Sequence, residues 1–310
     1  MNAITGTRAR FHRITSVIGA EVDGADLSRP LDAATIAAVK QAVLDHKVLV
    51  FRDQKITDED HLRFSRYFGP LTPAHPISQG LSSHPEIWER GAQEYRDRLT
   101  KKIAGQDDPA AKPPREREGW HIDITFVANP NHYSILRGVE IPAYGGDTLF
   151  ADLEAIYDTL SPTFQKLLDG LQAVHGLGDY DAGGIERKVA YKALHPLVRV
   201  HPETGRKSLF LNVGVTNRIL GLSGGESRAL LDYLKSEIVA RADCQVRVRW
   251  HPDTLVIWDN RATSHAGPID YAHFEQRRVV RRTTVAGDLP VGADGFVSRA
   301  LEGELFGVIG

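Results

Sequence analysis

Apolar positions along the chain change period several times, and each change marks an element. Over residues 32–46, Ile36, Val39 and Val43 recur at helical spacing and predict an amphipathic helix. The unbroken run Val48-Leu49-Val50-Phe51 then predicts a short buried strand over residues 47–52. Thr57-Asp58-Glu59-Asp60 reads as a helix start, with Leu62, Phe64, Tyr67 and Phe68 as its apolar contacts and Gly69 as its end. Ser161-Pro162 places proline at a first helical position, and Leu230, Leu231, Leu234 and Ile238 form a stripe through residues 226–240. Between these helices lie short strand-like runs at 132–139, 148–151, 197–200, 209–213, 245–250, 254–258 and 278–285. Many short strands separated by Gly, Pro and Asp turns predict a mainly β fold with flanking helices, arranged as a double-sheet jelly roll.

Composition narrows the picture without naming a function. The 310 residues are 42% hydrophobic and 25% charged, which suits one globular domain of barrel size. A formal net charge of -2 gives no electrostatic case for nucleic acid or an anionic membrane as partner. Cys244 is the single cysteine, so no intrachain disulfide is available and a reducing, cytoplasmic setting is expected. The first residues lack the apolar core of a signal peptide, and no apolar run approaches the roughly 20 residues of a membrane span. Residues 93–118 stand apart as a polar stretch containing Asp107-Asp108-Pro109 and Pro113-Pro114. They read either as a lid over a neighbouring site or as a surface insertion.

Candidate chemistry begins immediately after that stretch, at Trp120-His121-Ile122-Asp123. Side chains two apart on an extended segment share a face, so His121 and Asp123 project together. One further imidazole from a distant segment, His265 in the block Trp258-Asp259-Asn260-Arg261-Ala262-Thr263-Ser264-His265, completes two nitrogens and one carboxylate on one side of a metal. That set leaves positions open and is the ligand set of non-heme Fe(II) oxygenases. His-x-Asp alone carries little, since 13 His and 40 acidic residues make one expected by chance. The arginine-rich run Gln276-Arg277-Arg278-Val279-Val280-Arg281-Arg282 raises its value. Such an iron needs electrons to activate O2, and 2-oxoglutarate supplies them by oxidative decarboxylation. A planar guanidinium grips that cosubstrate's distal carboxylate. Arg278 and Arg282, four apart on a strand, face one way, and Arg277 and Arg281 face the other, towards solvent or acidic residues.

With these motifs the chain resembles the Fe(II)/2-oxoglutarate dioxygenases typified by taurine dioxygenase and the phenoxyacetate-herbicide dioxygenases. The resemblance extends over most of the chain. It includes Gly19-Ala20-Glu21-Val22-Asp23-Gly24, residues 47–52, Phe68-Gly69-Pro70-Leu71, Tyr144-Gly145-Gly146-Asp147-Thr148-Leu149-Phe150 and His195-Pro196-Leu197-Val198. It implies a double-stranded β-helix with helices outside one sheet, Fe(II) on His121, Asp123 and His265, and 2-oxoglutarate and O2 as cosubstrates. By alignment to the family motif, Arg278 matches the residue that binds the 5-carboxylate and Thr148 its hydroxyl partner. Arg282 matches the arginine that meets the anion of the prime substrate, and His75 a substrate-contacting histidine. Phe126 reads equally as pocket lining and as core. The implied reaction hydroxylates a small anionic organic substrate (a sulfonate, sulfate ester or aryloxyalkanoate) and releases succinate and CO2. Homo-oligomers are common in the family.

Taurine-specific members carry an Asn four residues before the first metal His and a Tyr three after the substrate His; here these are Arg117 and Ser78. The expectation is therefore a larger anion without a free amine, with taurine itself as the alternative. A serine hydrolase is a more distant alternative, because Gly221-Leu222-Ser223-Gly224-Gly225 fits a nucleophile motif and Ser223, Asp259, His265 follow hydrolase order. Residues 216–220 do not read as the strand such an elbow needs. Ser223-Gly224-Gly225-Glu226 reads instead as a capping box, and Asp259 as a turn residue. A jelly-roll binding protein without catalysis is disfavoured because every ligand position is filled.

Overall fold

The computed structural model describes residues 9–91, 119–177, 190–268, 270 and 277–309. Residues 93–118, with the lid expectation and Arg117, lie outside that set.

The first helix, α1 (Ala33–His46), begins where Asp32 accepts a hydrogen bond from Thr35 N, and it ends at Lys47 in the left-handed region. It leads directly into β3 (Val48–Phe51). In α2 (Asp58–Arg66), Thr57 and Asp60 form a reciprocal capping box, and three acidic residues occupy the positive end of the helix dipole.

A seven-stranded sheet organises this half. Its order is β1 (Arg10–Arg13), β2 (Ala20–Asp23), β3, β13 (Leu255–Asp259), β5 (Tyr133–Glu140), β15 (Val279–Val285) and β4 (Trp88–Gly91). Only β2 and β3 pair in parallel. Period-two alternation divides its central strands between two cores. Leu49, Phe51, Leu255 and Ile257 pack with Val39 and Val43 of α1 and Leu62 and Phe64 of α2. Val48, Val50, Val256 and Trp258 pack on the opposite face with Phe150, Val246 and Val248. Strands buried on both faces have no polar side to show, which explains their unbroken apolar sequences.

The second face is covered by a three-stranded sheet in the order β12 (Gln245–Val248), β6 (Thr148–Asp152) and β14 (Thr263–Ala266). Beyond it lie two smaller sheets. One runs β11 (Thr216–Ile219), β7 (Gln172–Gly176), β8 (Lys192–Pro196), β17 (Arg299–Glu302). The other runs β10 (Lys207–Leu209), β9 (Val198–Val200), β16 (Val291–Gly292). Helices α3 (Leu153–Thr159), α4 (Pro162–Leu168) and α5 (Gly224–Ala240) bring Leu153, Ile156, Leu168, Leu231 and Leu234 to a core shared with Leu197 and Phe210. The fold is mainly β with few helices, and helices flank both sheet systems rather than one side alone.

Two expectations need correction. Residues 210–213 are not a strand; the strand stops at Leu209, and Phe210 and Leu211 are buried in irregular backbone. Burial alone made that run apolar, and Asn212 satisfies the local polar groups through Thr216 Oγ1, Ile122 O and Thr125 Oγ1. Conversely, β11 is a strand, with Thr216 and Ile219 turned inward and Asn217 and Arg218 exposed. It is still no nucleophile elbow. Leu220, Gly221 and Leu222 separate it from Ser223, whose hydroxyl caps α5 by accepting from Glu226 N.

Among the described residues, no helix is long and apolar enough to cross a membrane.

Candidate active site

The site forms between the large sheet and the β12-β6-β14 sheet. His121 and His265 face each other as an isolated antiparallel bridge, each donating its N–H to the other's carbonyl at 2.8 Å. This pairing brings their ring centroids to 4.1 Å. Asp123 lies two residues on, and its Oδ1 is 3.9 Å from Nε2 of both histidines. Donor atoms of the three residues all fall within 4.8 Å of one another, and His121, Asp123 and His265 are the one such cluster among the described residues.

Asp123 is held from several directions. Its N–H donates to Asn260 Oδ1 at 2.9 Å, and Asn260 Nδ2 donates back to its carbonyl at 3.2 Å and to Asn131 O at 3.0 Å. Ser134 Oγ donates to Oδ2 and Arg282 Nη1 to Oδ1, both at 2.6 Å. Burial alone would raise the carboxyl's pKa. The Arg282 guanidinium, the neighbouring imidazoles and the Ser134 hydroxyl outweigh it and hold the group well below the usual carboxylate range. The next residue, Ile124, sits at φ 47°, a strained conformation for a β-branched side chain. His121 Nδ1–H donates to Gly119 O at 2.9 Å, which leaves the Nε2 lone pair facing the cluster. Two imidazole nitrogens and a fixed carboxylate, with acceptor capacity left on the carboxylate, suit a divalent transition ion and fit Fe(II).

The two arginine pairs divide as strand alternation predicts. Arg281 bonds Asp58 of α2 and Glu89 of β4, and Arg277 pairs with Glu140 at 3.0 Å. Arg278 and Arg282 are buried on the other face. Arg278 Nη2 donates to Gly146 O at 3.2 Å, and Gly146 stands at φ 71°, where a side chain would be strained. Thr148, two residues further on, is buried and accepts from Trp250 Nε1 at 3.0 Å, so its own hydroxyl proton remains available to an anion. His75 stacks on Trp88 with centroids 5.8 Å apart and meets the edge of Phe126 at 6.0 Å. Burial and the Arg282 charge push its pKa down to about 3, against the opposing pull of Asp123, so its ring is neutral near pH 7.

Sequence reasoning missed Trp88, Asn260 and Ser134, which no local motif announces. It also missed Phe306, which packs with Ile124, Phe126 and Tyr191 and exchanges hydrogen bonds with Asn129. Asp259 forms the turn expected of it, its Oδ1 accepting from Arg261 N at 2.9 Å, and is in addition a buried ion-pair partner. It accepts from Arg261 Nε at 2.8 Å and Nη2 at 2.7 Å, and lies 3.0 Å from His201 Nε2.

The chain matches known proteins along most of its length. The Taurine catabolism dioxygenase TauD, TfdA family matches residues 10–284. An alpha-ketoglutarate-dependent sulfate ester dioxygenase from Pseudomonas putida is 37% identical over 306 residues, covering 93% of each chain. An alkylsulfatase from Acinetobacter baylyi is 35% identical over 302 residues, covering 92% of this chain and 87% of the relative. The crystal structure of a taurine dioxygenase from Burkholderia xenovorans superposes with a TM-score of 0.81 at 36% identity, covering 96% of each chain. The serine hydrolase reading finds no support among these relatives. The chain therefore belongs to the TauD/TfdA family and is a 2-oxoglutarate-dependent dioxygenase.

Proposed function

We propose that the protein is an Fe(II)/2-oxoglutarate-dependent dioxygenase that hydroxylates a small amine-free anion, foremost an alkyl sulfate ester or alkylsulfonate. The single observation that carries the reading is the convergence of His121, Asp123 and His265 beside a buried arginine pair. His121 and His265 would hold the iron through nitrogen and Asp123 through oxygen. Bound there with 2-oxoglutarate, Fe(II) would supply O2 activation and oxidation of a substrate C–H bond, with succinate and CO2 as products.

The protein's own groups bind, orient and exclude water. Arg278 would take the 5-carboxylate of 2-oxoglutarate as a charge-assisted pair, with the Thr148 hydroxyl donating to the same group. Arg282 would reach the anionic end of the prime substrate while remaining beside Asp123. His75 accepts at Nδ1 from Ile77 N, which places its proton on Nε2 as a donor to that anion. Phe126 and Trp88 supply apolar walls that keep water from the reacting carbon. Hydroxylation at a carbon bearing sulfate or sulfonate gives a product that releases the group.

The double-stranded β-helix is the fold we assign to the two facing sheet systems, supported by the taurine dioxygenase superposition. We read residues 1–310 as a single domain that acts in the cytoplasm as a homo-oligomer. The amine-free preference is supported by the sulfate ester and alkylsulfatase relatives and by Ser78 at the position where taurine enzymes carry Tyr. Oxygen consumption and succinate release with hexyl sulfate, hexanesulfonate, a phenoxyacetate and taurine test it. The expected order puts an amine-free anion first in kcat/KM; taurine outperforming all of them would overturn the substrate reading.

A further inference from the structure

Strand β4 brings a cation to the site that the functional reading above leaves unused. It pairs antiparallel with β15, with Arg282 opposite Trp88 and Val280 opposite Arg90. Residues directly opposite in such a pair share a face, as do residues two apart on one strand. Trp88 and Arg90 therefore lie on the same inner face as Arg282, while Glu89 faces outward to Arg281. The contacts agree. The guanidinium of Arg282 stands 4.6 Å from the centroid of the Trp88 ring and that of Arg90 5.3 Å from it. The imidazole of His75 stacks on the same indole, and the Arg90 charge acts on it. One aromatic platform thus contacts two guanidinium groups and one imidazole, with Arg282 also bonded to Asp123.

We propose that Arg90 is a second substrate-binding cation, and that Arg90 and Arg282 together select a tetrahedral sulfate or sulfonate headgroup over a carboxylate. The inference rests on the dioxygenase reading and names the headgroup that site takes. A planar carboxylate offers two oxygens and is satisfied by the fork of one guanidinium. A sulfate ester offers three terminal oxygens in three directions, so one guanidinium leaves at least one of them without a cation. A second guanidinium from the adjacent strand meets that need, and it adds little for a carboxylate already held by Arg282.

The test compares wild type, Arg90→Gln and Arg90→Lys, with Arg277→Gln as the control for loss of a charge on the outer face. Anaerobic calorimetry with the enzyme reconstituted with Fe(II) and 2-oxoglutarate measures binding of hexyl sulfate and heptanoate, and steady-state assays measure both substrates and 2-oxoglutarate. Arg90→Gln should weaken hexyl sulfate on the order of tenfold, the scale of one hydrogen bond to a charged group. Heptanoate and the KM for 2-oxoglutarate should change less than about twofold, so that the sulfate-over-carboxylate preference collapses. Arg90→Lys should restore part of it, and Arg277→Gln should match wild type. Unchanged hexyl sulfate affinity in Arg90→Gln, or equal losses for hexyl sulfate, heptanoate and 2-oxoglutarate, would overturn the proposal while leaving the dioxygenase reading intact. Wild type that neither binds nor turns over hexyl sulfate or heptanoate would overturn the proposal together with the sulfate and sulfonate substrate reading on which it rests.

Discussion

Asp123 and Asp259 have nearly the same chemistry and opposite uses. Both carboxylates are buried, both are bonded to an arginine, and both are held well below the usual carboxylate range against the effect of burial. Around Asp259 every direction is filled. Arg261 grips it through Nε and Nη2, His201 approaches from the far side, and Arg261 also bonds Glu203 and Tyr133. Around Asp123 one hydrogen bond comes from Arg282 and one from Ser134, while two imidazole nitrogens stop at 3.9 Å, too far for a hydrogen bond. A closed ion pair is a clasp, whereas convergent donors with capacity to spare make a site. Low pKa and burial do not tell them apart; the geometry of the acceptors does. The clasp also serves the site, because Asn260, which fixes the backbone of Asp123, lies between Asp259 and Arg261 in the chain.

The largest contrast should come from Asp259→Ala. Truncating one partner of a buried pair leaves Arg261 uncompensated and costs about 3–5 kcal/mol. Denaturant unfolding should show that loss, and a variant as stable as wild type would remove the clasp. Arg278→Ala is the counterpart on the open side. It should cost about 2–5 kcal/mol in 2-oxoglutarate binding by calorimetry, with a much smaller change in stability. Equal losses in both quantities would erase the distinction between clasp and site.

Acid probes the closed interior in another way. His61 and His195 are fully buried, and burial pushes both down to about 3. A histidine whose folded pKa is depressed stabilises the fold fully above its unfolded value of about 6.5, and that contribution is lost as pH falls towards the folded value. Unfolding free energy should therefore drop between pH 6.5 and 5 by on the order of 2 kcal/mol for each histidine. A flat profile across that window would show that these imidazoles are not held neutral. The smallest effect belongs to Ser223→Ala, which removes the α5 cap at a cost of about 1 kcal/mol and leaves dioxygenase turnover untouched. Loss of turnover in that variant would revive a chemical role for the serine.

What the sequence disclosed follows the same division. His121 and Asp123 were legible because same-face positions two apart supply two of the three cluster residues, and Arg278 with Arg282 because strand alternation sorts them from Arg277 and Arg281. The helix starts at Thr57 and Ser223 were legible because capping is local. The turn at Asp259 was legible for the same reason, but its ion-pair network was not, since His201, which meets Asp259, and Glu203, which meets Arg261, lie far away in the chain and only the fold brings them near. Trp88 and Arg90 sit in a four-residue edge strand with no apolar alternation, so nothing short of the pairing with β15 shows which way they face. The apolar run at 209–213 misled for a related reason: Phe210 and Leu211 are core residues, and burial without ladder pairing leaves the same sequence signature as a strand.

The most direct test of the account removes the open carboxylate while the closed one stays. Fe(II) binding and 2-oxoglutarate-dependent succinate formation should be measured for wild type and Asp123→Ala, with circular dichroism to confirm folding. Wild type should require both Fe(II) and 2-oxoglutarate. Asp123→Ala, folded and with Asp259 in place, should lose iron affinity and turnover by about a hundredfold or more, at or above the range for disturbing a metal ligand's support. Full iron-dependent turnover by the folded Asp123→Ala variant would contradict the assignment of the site.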